Sequence, residues 1–225
     1  MKENFVECIS LSKYYKGKGE PVCAIGNLNL SIGENQLVII KGRSGAGKST
    51  LLNLMCGLIR PTEGKVFIGN DCISELSDTR LCSLLAEKIG IIFQNFNLLP
   101  TYTVYENIET GMVPKGLNRH NIRGRVMSLL DRFGLKDKES LMPSELSSGQ
   151  QQKVAIIRSL IKDPSVIFAD EPTGSVDDET AADIMEHLIN LKNQKQVTLV
   201  VATHGNMLEK FADRIVQIEN GRILA

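Results

Sequence analysis

Short apolar runs rich in β-branched residues recur along the chain, and between them apolar positions return at helical spacing. That alternation is the signature of βαβ units around a mostly parallel sheet. The pattern predicts strands over 36–40, 65–68, 89–93, 165–169 and 197–202, with a helix over about 48–56. Between 94 and 161 the strand-like runs disappear, and amphipathic stretches at 119–133 and 150–161 replace them. A helical subdomain over about 94–161, inserted into an α/β core formed by 1–93 and 162–225, accounts for this change. A closing hairpin is expected from 214–219, a turn at Asn220-Gly221, and 222–224.

At 225 residues the chain has enough material for one sizeable core. Hydrophobic residues make up 42% and charged residues 23%, as in ordinary globular proteins. Lys plus Arg and Asp plus Glu both number 26, so no global basic field exists for a nucleic-acid backbone. One basic stretch, with Lys115, Arg119, Arg123 and Arg125, contains no acidic residue and reads as a solvated helix face. The five cysteines form no C-x-x-C pair, which argues against a zinc site or a disulfide framework and fits a reducing cytosol. Cys56, inside the apolar run 51–58, is expected to be buried. The first ten residues carry no apolar signal region. No apolar run approaches the ~20 residues of a membrane-spanning helix, so any membrane role is expected to come through a partner.

The sharpest chemistry lies directly after the strand 36–40. Gly42, Arg43, Ser44, Gly45, Ala46, Gly47, Lys48 and Ser49 fill G-x-x-x-x-G-K-[ST], and Thr50 follows. The glycines let successive N–H groups converge on one anion, and the helix that follows adds its positive end. Lys48 is expected to reach β- and γ-phosphates, and Ser49 to ligate Mg²⁺. No N/T-K-x-D element for guanine occurs, so ATP is the expected nucleotide.

A second cluster ends the strand 165–169 with Asp170 and Glu171. Asp at the tip of a buried strand is how a phosphate-loop protein holds Mg²⁺, and the adjacent Glu can polarise the attacking water. Upstream, Leu146-Ser147-Ser148-Gly149-Gln150 opens a helix whose positions Val154, Ile157 and Ile161 share a face. Ser148 with Gln151 fits a capping box, and the small residues leave N–H groups available as a second phosphate contact.

With these elements in order, the chain resembles the ABC ATPases over nearly its whole length. The stretch 146–150 is similar to the family's LSGGQ signature, and Gln94 after the strand 89–93 resembles its Q-loop glutamine. Asp177 matches the D-loop, His204 the switch histidine, and Tyr15 the aromatic that stacks on adenine, with Tyr14 the alternative. A narrower similarity, through Asn97-Leu98-Leu99-Pro100-Thr101, 103–107 and 169–174, is to the branch serving lipoprotein release, macrolide or peptide efflux, and antimicrobial-peptide resistance. Ser148, Lys153 and Ser175-Val176 depart from that branch, and none removes a catalytic group.

The resemblance implies two subunits, most simply copies of one chain, head to tail around two ATP. Each nucleotide would lie between one phosphate loop and the other chain's Ser147, Ser148, Gly149 and Gln150, with Asp177 nearby. Lys48, Ser49, Gln94 and Asp170 would manage phosphates and Mg²⁺, Glu171 would act as base, and His204 would hold γ-phosphate and water in line. A separate permease, contacted near Gln94 and 95–101, would place the chain on the cytoplasmic face of the cell membrane. Chromosome-maintenance relatives insert long heptad arms between phosphate loop and signature, and the interval here leaves no room for them. Excision-repair relatives carry zinc-binding cysteine pairs and translation-factor relatives usually two cassettes, features this sequence lacks. A signalling module that drives a permease without moving solute shares every one of these residues.

Overall fold

The computed structural model describes residues 4–17, 20–115 and 119–224. Two sheets divide the strands. β1 (Asn4–Tyr15), β2 (Val22–Gly33), β4 (Glu63–Ile68) and β5 (Asp71–Cys72) form an antiparallel sheet in the order β2-β1-β4-β5. β3 (Leu37–Lys41), β6 (Ile89–Ile92), β7 (Val166–Asp170), β8 (Thr198–Ala202), β9 (Arg214–Glu219) and β10 (Arg222–Ile223) form the second, ordered β10-β9-β3-β8-β7-β6. Every pair in the second sheet is parallel except the β9–β10 hairpin, whose turn places Asn220 and Gly221 at φ 49° and 73°. Left-handed values at both positions match the hand of the strand twist. This is the P-loop NTPase fold expected from the sequence, with a mixed, mostly parallel sheet and an antiparallel β part.

The parallel strands are buried on both faces, which is why they read as continuous apolar runs. Val38, Ile40, Val166, Phe168, Val200 and Ala202 face one core, shared with α1 (Lys48–Met55) and the antiparallel sheet. Their neighbours Leu37, Ile39, Ile167, Ala169, Leu199 and Val201 face a second core. That core also takes Val104 and Ile108 of α3 (Val104–Glu109) and Val126 and Leu130 of α4 (Arg119–Arg132). Val154 and Ile157 of α5 (Ser148–Leu160), and Ile184 and Leu188 of α6 (Asp178–Lys195), complete it. Among the described residues the elements between β6 and β7 are helical, and they share the core of the sheet rather than owning a separate one.

Several elements go beyond those read from the pattern. α2 (Asp78–Lys88) and α6 both carry helical signals; α6 buries Ala181, Ile184, Met185, Leu188 and Leu191 along one face. β1 and β2 pair over their whole length, but register shifts between Cys8 and Leu11 and between Leu11 and Lys13 interrupt the alternation that would mark β1. All five cysteines are free thiols, and Cys56 is buried as expected; burial pushes its thiol up to about 12.

The basic stretch lies partly outside the described residues. Within them, Arg123 bonds Glu139 at 3.3 Å, and Arg125 pairs with Asp163. Asp163 sits at φ 52° between α5 and β7 and also accepts from Lys195 of α6, so one carboxylate ties α4 to α6. Partial burial works to raise its pKa, but the bonds from Lys195 and Arg125 outweigh this and hold it below the ordinary value.

Because that pKa is lowered on folding, the contribution of Asp163 is fully present above its unfolded value of about 3.8 and is lost as pH falls through the folded one. Asn tolerates the left-handed backbone, so Asp163→Asn isolates the charge. Denaturant unfolding should show the variant weaker by at most about 1 kcal/mol at pH 7, given the partial exposure, with the gap closing as pH falls through the folded value. A gap that does not shrink with falling pH would assign the effect to something other than the ion pairs.

Candidate functional site

β3 ends in the loop from Gly42 to Gly47, and α1 begins at Lys48. Gly47 is the N-cap, at φ 104°, and a Cβ there would come within 2.6 Å of the Ala24 carbonyl oxygen. Only glycine meets both demands. The loop closes with Ala46 N–H donating to Arg43 O at 3.1 Å, and Gly221 N–H bonds Ala46 O from behind at 2.9 Å. α1 has no side-chain cap and no acidic residue in its first turn, so its leading N–H groups suit an anion. Lys48 is buried; its Nζ donates to Gly42 O at 2.9 Å and Arg43 O at 3.3 Å, and lies 3.8 Å from Glu171 Oε1.

β7 brings Asp170 and Glu171 to the same end of the sheet. Burial pushes the Asp170 carboxyl above its ordinary range, and the Glu171 charge adds to this, against a hydrogen bond from Ser49 and the charge of Lys48. Asp170 Oδ1 is buried with no hydrogen-bond partner among the described residues. An Asp carboxylate beside the Ser49 hydroxyl is a small, hard oxygen set. It fits Mg²⁺, which usually keeps waters and takes one or two carboxylates plus phosphate oxygens.

Glu171 adopts φ 44°, unusual for a residue with a Cβ. Its N–H donates to Ala202 O at 2.8 Å and its carbonyl accepts from Gly174 N at 3.0 Å. The carboxylate is ringed by donors: Thr203 Oγ1 to Oε2 at 3.0 Å, His204 N to Oε1 at 3.1 Å, and His204 Nδ1 with Oε1 at 2.9 Å. An ionised carboxylate only accepts, so Nδ1 is the donor there and Nε2 is left for another partner.

A cleft of about 660 Å³ unites these groups. Arg43, Ser44, Gly45, Gly47, Lys48, Ser49, Thr50, Gln94, Glu171 and His204 line it, all expected from the sequence. Val22, Cys23 and Ala24 of β2, with Gly174, complete the wall. Sequence reasoning missed these four; the period-2 alternation of Leu28, Leu30 and Ile32 was the available signal for β2. Gly42 and Ala46 line a neighbouring cavity on the other side of the loop. Tyr15 and Tyr14, both exposed, pair across the sheet with Val22 and Cys23 and stand one strand behind that wall.

Ser147, Ser148, Gly149, Gln150 and Asp177 lie outside the cleft lining. Ser147, not Ser148, is the N-cap of α5: its Oγ accepts from Gln150 N at 3.3 Å, and Gln150 Oε1 accepts from Ser147 N at 3.0 Å. The chain turns one residue earlier than the pattern suggested, so Ser148 is the first helical residue, and Gln151 instead donates to Leu146 O at 3.2 Å. Asp177 caps α6, accepting from Thr180 N at 2.9 Å and Thr180 Oγ1 at 2.8 Å. A Cβ on Gly149 would meet the Thr180 methyl at 2.7 Å, so the starts of α5 and α6 are in contact. Buried Gln152 donates to Pro172 O at 2.7 Å, and Arg158 donates to Asn97 O at 2.6 Å and Phe96 O at 2.9 Å. α5 is thereby tied to the loops that follow both Glu171 and Gln94. Beside the latter loop, a groove of about 510 Å³ opens between α2, β6 and α5, with Leu85, Phe93, Leu99 and Arg158 in its walls.

The family described as ABC transporter matches residues 25–174. The ABC transporter ATP-binding protein YtrE of Bacillus subtilis is 37% identical over 206 residues, covering 92% of this chain and 89% of its own. The macrolide export ATP-binding/permease protein MacB 1 of Yersinia pestis bv. Antiqua is 38% identical across 98% of this chain and 34% of that longer protein. Among solved structures, the dimeric cassette MJ0796 of Methanocaldococcus jannaschii superposes with a TM-score of 0.93 at 38% identity, covering 98% of this chain and 97% of that one. The same cassette in a dimeric post-hydrolysis state with ADP and Pi also gives 0.93.

The contact between Gly149 and Thr180 yields a test independent of turnover. Gly149→Ala should lower stability by roughly 1–3 kcal/mol, reversing the usual helical gain over Gly. Thr180→Ser removes the methyl and keeps the bond to Asp177, so the double variant should recover most of the loss in a thermal melt. A Gly149→Ala protein as stable as the parent would mean that the two helix starts do not pack as described.

Proposed function

The chain belongs to the ABC transporter family as an ATP-binding subunit that hydrolyses ATP, and from this premise we propose that it works as one half of a nucleotide-sandwich dimer driving a separate membrane permease. One observation carries this reading. The cleft collects Lys48, Gln94, Glu171 and His204, while Ser147 and Ser148 stand exposed at the start of α5, outside it. A second copy, placed head to tail, brings that helix start to the γ-phosphate. The dimeric MJ0796 cassette supports such an arrangement.

In this reading the loop N–H groups and Lys48 hold the β- and γ-phosphates. Ser49, Asp170 and Gln94 would hold Mg²⁺, which when bound would supply charge neutralisation on those phosphates. Glu171 takes the proton of the attacking water as its oxygen bonds to the γ-phosphorus and ADP departs. His204, anchored through Nδ1 on Glu171, offers Nε2 to the γ-phosphate. Most of the acceleration comes from positioning and charge stabilisation. ATP closes the dimer because its γ-phosphate is bound by both chains, and hydrolysis releases it.

The helical subdomain, about 94–161, transmits that closure. Arg158 links α5 to the segment after Gln94, and the apolar groove beside Leu99 receives the permease. The subunit thereby sits on the cytoplasmic face of the cell membrane; among the described residues no helix is long and apolar enough to cross it. Likeness to a macrolide exporter supports export of a drug, and the same permease-driving cycle would equally serve export of a peptide or lipoprotein, or mechanical signalling.

Glu171→Gln should bind ATP normally, lose roughly 10²–10⁴-fold in turnover, and accumulate an ATP-bound dimer in analytical ultracentrifugation. Hydrolysis at the parental rate would refute the role of Glu171. For the adenine platform, Tyr15→Ala should weaken ATP binding about tenfold, in line with ~1–3 kcal/mol per stacked base, while Tyr15→Phe changes it little. Loss in Tyr14→Ala but not in Tyr15→Ala would assign the platform to the other ring.

A further inference from the structure

Thr203 is buried one residue beyond the end of β8, directly before His204. Its backbone N–H donates to Ile40 O at 3.1 Å, which ties it to the end of β3 just before the phosphate loop. Its hydroxyl makes two bonds: Gly205 N donates to Oγ1 at 3.0 Å, and Oγ1 stands 3.0 Å from Glu171 Oε2. A hydroxyl carries one proton. A carboxylate only accepts, so that proton is directed to Glu171, while Gly205 N–H takes a lone pair of the hydroxyl. The branched Cβ restricts χ1, so the direction is held by the backbone.

Glu171 needs such a hold. It stands at φ 44°, and its other oxygen, Oε1, already takes His204 N and Nδ1 with Lys48 nearby. Oε2 has one partner among the described contacts, the Thr203 hydroxyl. We infer that Thr203 is a positioning residue for hydrolysis: it fixes the rotation of the Glu171 carboxylate and joins it to the histidine loop through Gly205. The bonds of its hydroxyl go to Glu171 and Gly205, so its loss should act through Glu171 rather than through nucleotide contact. The inference rests on Glu171 being the base.

The test is steady-state ATPase kinetics on the full chain, with equilibrium nucleotide binding followed in parallel. Thr203→Val, which keeps the shape, should lower kcat about tenfold or more while KM and nucleotide affinity stay within about threefold. Thr203→Ser, which keeps the hydroxyl, should recover to within about threefold of the parent. In a Glu171→Gln background, adding Thr203→Val should cost less than about twofold, because the two act as one unit. Turnover of Thr203→Val within about twofold of the parent, parallel loss of affinity and kcat, or a Ser variant as poor as Val would each overturn the inference. If Thr203→Val does not fold, Thr203→Ala carries the same comparison. The two readings separate cleanly: an active Glu171→Gln refutes the base, whereas an inactive Glu171→Gln beside a normal Thr203→Val refutes the positioning residue alone.

Discussion

Lys48 and Glu171 set opposite charges 3.8 Å apart at the carboxyl ends of the parallel strands, both largely shielded from water. Removing two charges from solvent costs several kcal/mol per ion unless hydrogen bonds satisfy what the pair itself does not. Each is therefore surrounded: Lys48 by the carbonyls of Gly42 and Arg43, Glu171 by Thr203 and both nitrogens offered by His204. Those partners come from the tips of β3, β7 and β8, so the pair is tolerable only with these strands in adjacent order. The register delivers that adjacency, with Ile40 opposite Ala202 and Asp170 opposite Ala202 on the other side.

The same three strands separate two cores. Alternate residues of each strand face α1 on one side and α3 to α6 on the other. The helix that Ser147 caps and that carries Arg158, α5, therefore rests on the sheet whose tips hold Glu171. α5 is tied to the segments beside the cleft by two direct routes, Gln152 on Pro172 and Arg158 on the segment after Gln94, and Gly149 adds a contact to Thr180 of α6. Packed interiors are stiff, so such contacts carry displacement rather than absorb it. That gives the proposed dimer closure a physical path to the proposed permease groove.

Much of this was legible in the chain itself. The phosphate loop is contiguous, and its chemistry follows from glycine geometry and a lysine at one spacing; Gly42 to Ser49 needed no partner to be read. The buried parallel strands announced themselves because burial on both faces leaves no polar alternation, as in 197–202. β1 and the first half of β2 were harder: bulges break the alternation of β1, and in β2 the alternation of Leu28, Leu30 and Ile32 with Asn27, Asn29 and Ser31 holds only in the second half. The cap of α5 turned on one residue, since Ser147 and Ser148 have the same capping chemistry and only the backbone turn decides between them.

The sequence by itself determined which chemical groups exist and, where they are neighbours along the chain, how they are arranged: the anion cradle, the Asp170-Glu171 pair, the helix starts. Only the tertiary structure decided what each group touches across the sheet. Thr203 and His204 meet Glu171 from 32 and 33 residues away, and Val22 to Ala24 wall the cleft from a separate sheet. The physical reason is strand order. Crossover connections place β3 beside β8 and β8 beside β7, so the strand tips that share hydrogen bonds are remote in sequence, and no local periodicity encodes which tips will meet.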